Sequence, residues 1–368
     1  MKKLWLILFS FLAFFVFIPK VFAQTSIPSQ QYYLGKVEKI ISSGQTEIMG
    51  YKALYQTLIV KVTSGPDTGK SITIDYGKTT QITKGQEVSA GEDVVLTKIK
   101  DTQGKTSYSI YDAYRITPLI ILAVVFVVLI LVVAGLKGLG SLFGMLFSLT
   151  VIMLFIVPNI LSGSDPLTVT VIGSVVIIIV STFLAHGISK KTTIALFSTL
   201  TALMLAAAFS ILAISFAKLT GLGNEDFATL QTGTTSFINI KGLFLSGIII
   251  GTLGALNDIT TTQAATIFEL KDANDKLRFT QLAEKGLIVG KEHIASLVNT
   301  LVLAYAGSSL AIFIFLALNP AHLPYWVILN NEIIADEIIR IIAGSVGLIL
   351  SVPIVTIIAS LAVSKKIS

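Results

Sequence analysis

The stretch KGLFLSGIIIGTLGALNDITTTQAATIFELKD, Lys241–Asp272, decides how the rest of the chain is read. Gly247, Gly251, Gly254, Asp258, Thr262, Ala265 and Glu269 recur at spacings of three and four, so on a helix they share one side. That side is small and polar, and the remainder is Ile and Leu. Small residues so spaced let a neighbouring helix approach closely, whereas an ionisable group in hydrocarbon costs about 2.5–3.5 kcal/mol on insertion scales. The pattern predicts a transmembrane helix whose acid, Asp258, faces protein or water.

Composition supports that reading. Of 368 residues, 53% are hydrophobic and 13% charged, and the mean hydropathy is +0.83. This is the balance of an α-helical polytopic membrane protein. The net charge of +6 does not imply a nucleic-acid partner, because the basic residues flank apolar spans, as the positive-inside rule expects. Cysteine is absent, which excludes disulfides, thiolate chemistry and Cys-ligated metals.

Residues 1–23 read as a signal peptide: Lys2 and Lys3, an apolar run from Leu4 to Ile18, and Val21 and Ala23 at the cleavage positions. Residues 24–115 turn polar and carry five β-rich runs, Tyr32–Ile41, Leu54–Val62, Ser71–Tyr76, Asp93–Lys100 and Ser107–Tyr114. SGPDTGK, Ser64–Lys70, supplies turn residues between the second and third runs. Five short strands predict a small exported barrel of the OB or SH3 kind, since closure removes exposed sheet edges.

Seven apolar spans follow within 116–368: Pro118–Leu136, Leu139–Val157, Leu167–Ala185, Thr192–Phe216, Gly242–Phe268, Ile294–Leu318 and Ile338–Val363. Lys137, Lys190, Lys191, Lys271, Lys276, Arg278, Lys285, Lys291, Lys365 and Lys366 fall in the odd-numbered connections and the carboxyl tail. Lys218 and Lys241 fall in the others, with Arg340 just inside the last span. The bias places the β domain outside the membrane and the carboxyl terminus in the cytoplasm.

The fifth and sixth spans are expected to pack antiparallel, with Asp258 facing Asn299, Thr300 and Leu303 and with Tyr305 as the outer limit. Close approach is expected at Gly247, Gly251, Gly254 and Gly307. Asn257, Thr262, Gln263, Glu269 and His293 complete the polar lining of a proton, ion or substrate pathway. Glu337 and Arg340, three apart, can pair on one helix face. His186 and His293 lie on different helices without ligand spacing, so no metal or other cofactor is expected. Phosphate-binding loops, nucleophile elbows and HExxH are absent, so an enzyme is not expected. The expected partners are the lipid bilayer and an unnamed solute or partner protein, and self-association is left open.

GIIIGTLGALNDITTTQAATIFEL, GKEHIASLVNTLVLAYAGSSL and ADEIIRIIAGSVGLILSVPI, with GLKGLGSLFG (Gly135–Gly144) and HGISKKT (His186–Thr192), resemble the YibE/F family of bacterial multi-pass membrane proteins. The resemblance implies a topology and key positions rather than a reaction. Asn257 stands where it leads us to expect a second acid. The last three spans are also similar to SecD/SecF and related proton-driven permeases, and that likeness implies proton coupling at Asp258. The functional expectation is a transporter or exporter coupled to protons or ions through Asp258. The alternative is a non-transporting scaffold whose β domain docks a partner.

Overall fold

The computed structural model describes residues 31–48, 51–78, 82–100, 106–223, 229–230, 235, 237–319 and 322–364. The signal-peptide assignment lies outside these residues. The chain divides into two compact units, one within Ala23–Leu129 and one within Ile130–Ser368.

In the first unit β1 (Tyr32–Ile48), β2 (Tyr51–Val62), β3 (Ser71–Tyr76), β4 (Asp93–Lys100) and β5 (Thr106–Ala113) form one antiparallel sheet in the order β3-β2-β1-β4-β5. Alternation along β2 turns Leu58, Val60 and Val62 inward, where Val37, Ile74, Val94, Leu96 and Ile110 meet them. Register shifts after Val37 and Ile40 kink the long β1. The Ser64–Lys70 connection is a hairpin turn, with Gly65 and Gly69 at positive φ. The sheet is open rather than a closed barrel, since β3 and β5 are its unpaired edges. Side chains partly replace the missing ladder. Asp67, in the β2–β3 turn, accepts hydrogen bonds from Lys70 (2.7 Å), from Lys98 of β4 (3.0 Å) and from Tyr108 of β5 (2.5 Å).

Among the described residues seven helices are long and apolar enough to cross a membrane. α1 (Ile116–Val151) contains the first span and, beyond a break at Gly135 (φ +58), most of the second, which ends through a π-turn in α2 (Val157–Leu161). α3 (Pro166–His186), α4 (Lys190–Phe216) and α5 (Ile240–Ala273) supply the next three. α6 (Phe279–Ser308) is the sixth, followed by the short α7 (Leu310–Leu318) and α8 (Tyr325–Leu329). α9 (Glu332–Ser364) is the seventh. Among these, α5 is central, packing against α3, α4, α6 and α9.

Two spans differ from expectation in a way that matters for the site. Residues 279–293, read as connection, belong to α6. Leu282, Gly286 and Gly290 are buried there, so packing rather than an apolar run carries the helix. α9 begins at Glu332 rather than Ile338, which draws Asp336 and Glu337 into the bundle.

Candidate functional site

The predicted stripe on α5 exists, and it is an exposed face. Gly247, Gly251, Gly254, Asp258, Thr262 and Glu269 all lie at the surface of the bundle, while Leu256, Ile259, Ala264 and Ile267 fill its interior. Flanking residues fix which helices border the stripe. Asn257 Oδ1 accepts from Thr182 Oγ1 of α3 at 2.7 Å on one side. On the other, the Tyr305 hydroxyl of α6 lies over Gly251, leaving no room for a Cβ. At the end of α3, His186 is the charge neighbour of Asp258.

One turn beyond Asp258, the stripe runs into an open cleft of about 570 Å³. His186 and Gly187 after α3, Lys191 and Thr192 at the start of α4, and Thr261 and Thr262 of α5 line it. Ser189 caps α4, its hydroxyl accepting from the Thr192 backbone N–H at 3.1 Å, which fixes the cleft wall. Lys191 pairs with Glu269 at 3.6 Å across the rim, both side chains being substantially exposed. Hydroxyls, an imidazole and an ammonium thus converge near one carboxylate, a set that can hold water, relay protons or bind an anion.

α5 and α6 do pack antiparallel, with Gly251 opposite Tyr305 and Ile267 opposite Gly286. The expected orientation of Asp258 is not found. Asn299, Thr300 and Leu303 are exposed on α6, Thr300 donates to the Ser296 carbonyl of its own helix, and among the described residues no hydrogen bond joins Asp258 to α6. The reason is packing. α6 turns Ile294, Leu297 and Leu301 toward the core, burying more apolar surface than its polar stripe would. Gly247, Gly254 and Gly307 are likewise not helix-packing positions within this chain, since a Cβ on each would meet open space. Close approach falls at Gly251, as expected, and otherwise at Gly286, Gly290, Gly344 and Gly347.

Gln263 proves to be a structural clamp. Fully buried, its Nε2 donates to the Gly286 carbonyl at 2.7 Å and to Thr356 Oγ1 at 2.8 Å, joining α5, α6 and α9. Its environment cannot be read from TTTQ, because both partners are remote in sequence. His293 is half-buried on α6, with Nδ1 enclosed and unpartnered. Among the described residues no three His, Asp or Glu gather as metal ligands.

A second polar cluster lies at the opposite end of the bundle; of it, sequence reasoning foresaw the Glu337–Arg340 pair and missed the buried Asp336. Asp336 is 3% exposed and Glu337 9%. Arg340 pairs with Glu337 at 3.1 Å and stacks over the Phe244 ring, 5.5 Å from its centroid. Glu332 there accepts from Thr220 Oγ1 and from the Gly221 N–H. ADEIIR, three charges in six residues beside an apolar run, is the signal that could have shown it.

Seven membrane-length helices among the described residues, with a polar cleft and preceded by an antiparallel sheet unit, define a polytopic membrane protein in contact with lipid. The sequence profile of the YibE/F-like protein family matches residues 122–365, and the chain belongs to that family. No curated protein and no solved structure matches it, so the SecD/SecF likeness gains no support.

Proposed function

We propose that the protein is a multi-pass transporter or exporter coupled to protons or another ion through Asp258. The β unit lies outside the bacterial cell membrane, and the cleft and carboxyl terminus lie on the cytoplasmic side. The observation that carries this reading is the placement of Asp258 one helical turn from a polar cleft bordered by His186, Lys191 and Thr262. An acid inside a membrane helix is retained at a cost and marks an ion or proton path. The cleft gives it a route to water at the end where the basic residues concentrate.

The test is proton binding by the purified full-length protein in lipid between pH 5 and 8. Asp258→Asn removes one titrating group while preserving thermal stability. Equal proton binding by variant and wild type excludes the coupling role.

A second reading is favoured by the exposure of the stripe. Gly247 and Gly254 have open space above them and could seat a helix of a partner, in which case the protein is an accessory subunit. Stable copurification of a partner, lost on Gly254→Leu and with proton binding unchanged in Asp258→Asn, selects this alternative.

A further inference from the structure

The cluster at the head of α9 is not used by the cleft around Asp258. Asp336 is almost fully enclosed, yet among the described residues no side chain hydrogen-bonds to either carboxylate oxygen. Its polar contact is the Gly223 backbone, so close that a Cβ on Gly223 would lie 2.6 Å from Oδ2, and falls short of hydrogen-bond geometry. Among the described residues no cation lies within ion-pairing distance of it, because Arg340 is held by Glu337.

Among the described residues, the charged and titratable groups facing this point are Glu332, Glu337 and Arg340 of the same helix and Tyr305 from α6. α5 contributes the uncharged Phe244. Glu332 is already satisfied by Thr220 and Gly221, and Arg340 neutralises Glu337. Asp336 is therefore the acid left over, and a carboxylate enclosed without a partner is far costlier as an anion than as the neutral acid.

The spacing adds a second property. Arg340 stands four residues after Asp336 and three after Glu337, so on a helix it reaches either carboxylate. Its Nε is buried and unpartnered, which leaves the guanidinium a donor to redirect.

We propose that Asp336 is a proton-binding site in which Arg340 is the switch: it pairs with Glu337 while Asp336 carries a proton and turns to Asp336 when that proton leaves. The step balances, since one proton departs Asp336 and the guanidinium exchanges one carboxylate partner for another. The proposal does not depend on Asp258 coupling transport.

Infrared difference spectroscopy of the full-length protein in lipid, from pH 5 to 8, tests it through the C=O stretch of protonated carboxyls. Asp336→Asn is expected to remove a protonated-carboxyl band that Asp258→Asn leaves in place. Glu337→Gln frees Arg340 and removes a neighbouring negative charge, so it is expected to lower the proton affinity of Asp336 at least tenfold, moving loss of the band down by about one pH unit. An unchanged spectrum in Asp336→Asn, or an unmoved band in Glu337→Gln, overturns the proposal. Should Asp336→Asn not fold, the Glu337→Gln shift decides alone.

Discussion

Asn257 Oδ1 accepts a hydrogen bond from Thr182 Oγ1 across 2.7 Å, tying the residue beside Asp258 to the third span. Where the family resemblance suggested a second acid, this chain carries an interhelical contact. Asn257→Leu should cost about 0.6 kcal/mol, and at most ~1.7 kcal/mol, as such contacts do within membranes. Asn257→Asp keeps an acceptor for Thr182 and should be milder. Thermal midpoints of the two variants in one detergent check the order, and a larger loss for Asn257→Asp refutes the assignment.

The Gln263 clamp should matter more. Gln263→Leu removes two donors and leaves the Gly286 carbonyl and Thr356 hydroxyl buried without them, a loss of about 1–3 kcal/mol. Gly286→Val should be at least as damaging, because a Cβ there runs into the buried Ile267 side chain and Thr356 Cγ2. Both losses should appear as a lower unfolding midpoint. Wild-type stability in Gly286→Val would show that α5 and α6 do not touch as described.

Asp67 gives the β unit an acid limit. Hydrogen bonds from Lys70, Tyr108 and Lys98 hold its carboxyl well below the usual carboxylate range. A folded-state pKa below the unfolded value of about 3.9 contributes stability that is fully present above that pH and lost as pH falls below it toward the folded value. Protection of backbone amides in the sheet from hydrogen exchange, referred to the intrinsic rate at each pH, should therefore fall below about pH 4. In Asp67→Asn protection should be lower at neutral pH and change less over the acid range. The same acid response in both proteins would remove Asp67 from the account.

How much was legible in the sequence depended on where the physical signal is local. Ser71–Tyr76 and Asp93–Lys100 match the strands found, because alternation and turn residues are written within a few positions. The seven spans were legible from apolar runs, and the Glu337–Arg340 pair from its spacing. The amino-terminal half of α6 was not, since Gly286 and Gly290 earn their burial from Ile267 and Val352, residues on other helices. The stripe through Asp258 was found correctly as one side of a helix, but periodicity does not say which neighbour that side meets. Asp336 was missed because the last span was begun at its first long apolar run, past the turns that carry its buried charges.

The central claim, that Asp258 reaches water through the cleft beside His186, is most directly tested by cysteine accessibility. The native chain has no cysteine, so Asp258→Cys and Thr262→Cys carry the sole thiol in otherwise unaltered protein. In oriented membrane vesicles a membrane-impermeant thiosulfonate should modify both from the side that also modifies a cysteine at Lys191, and neither from the opposite side. Modification from neither side, while the Lys191→Cys control reacts, would place Asp258 against lipid or a partner helix and contradict the account.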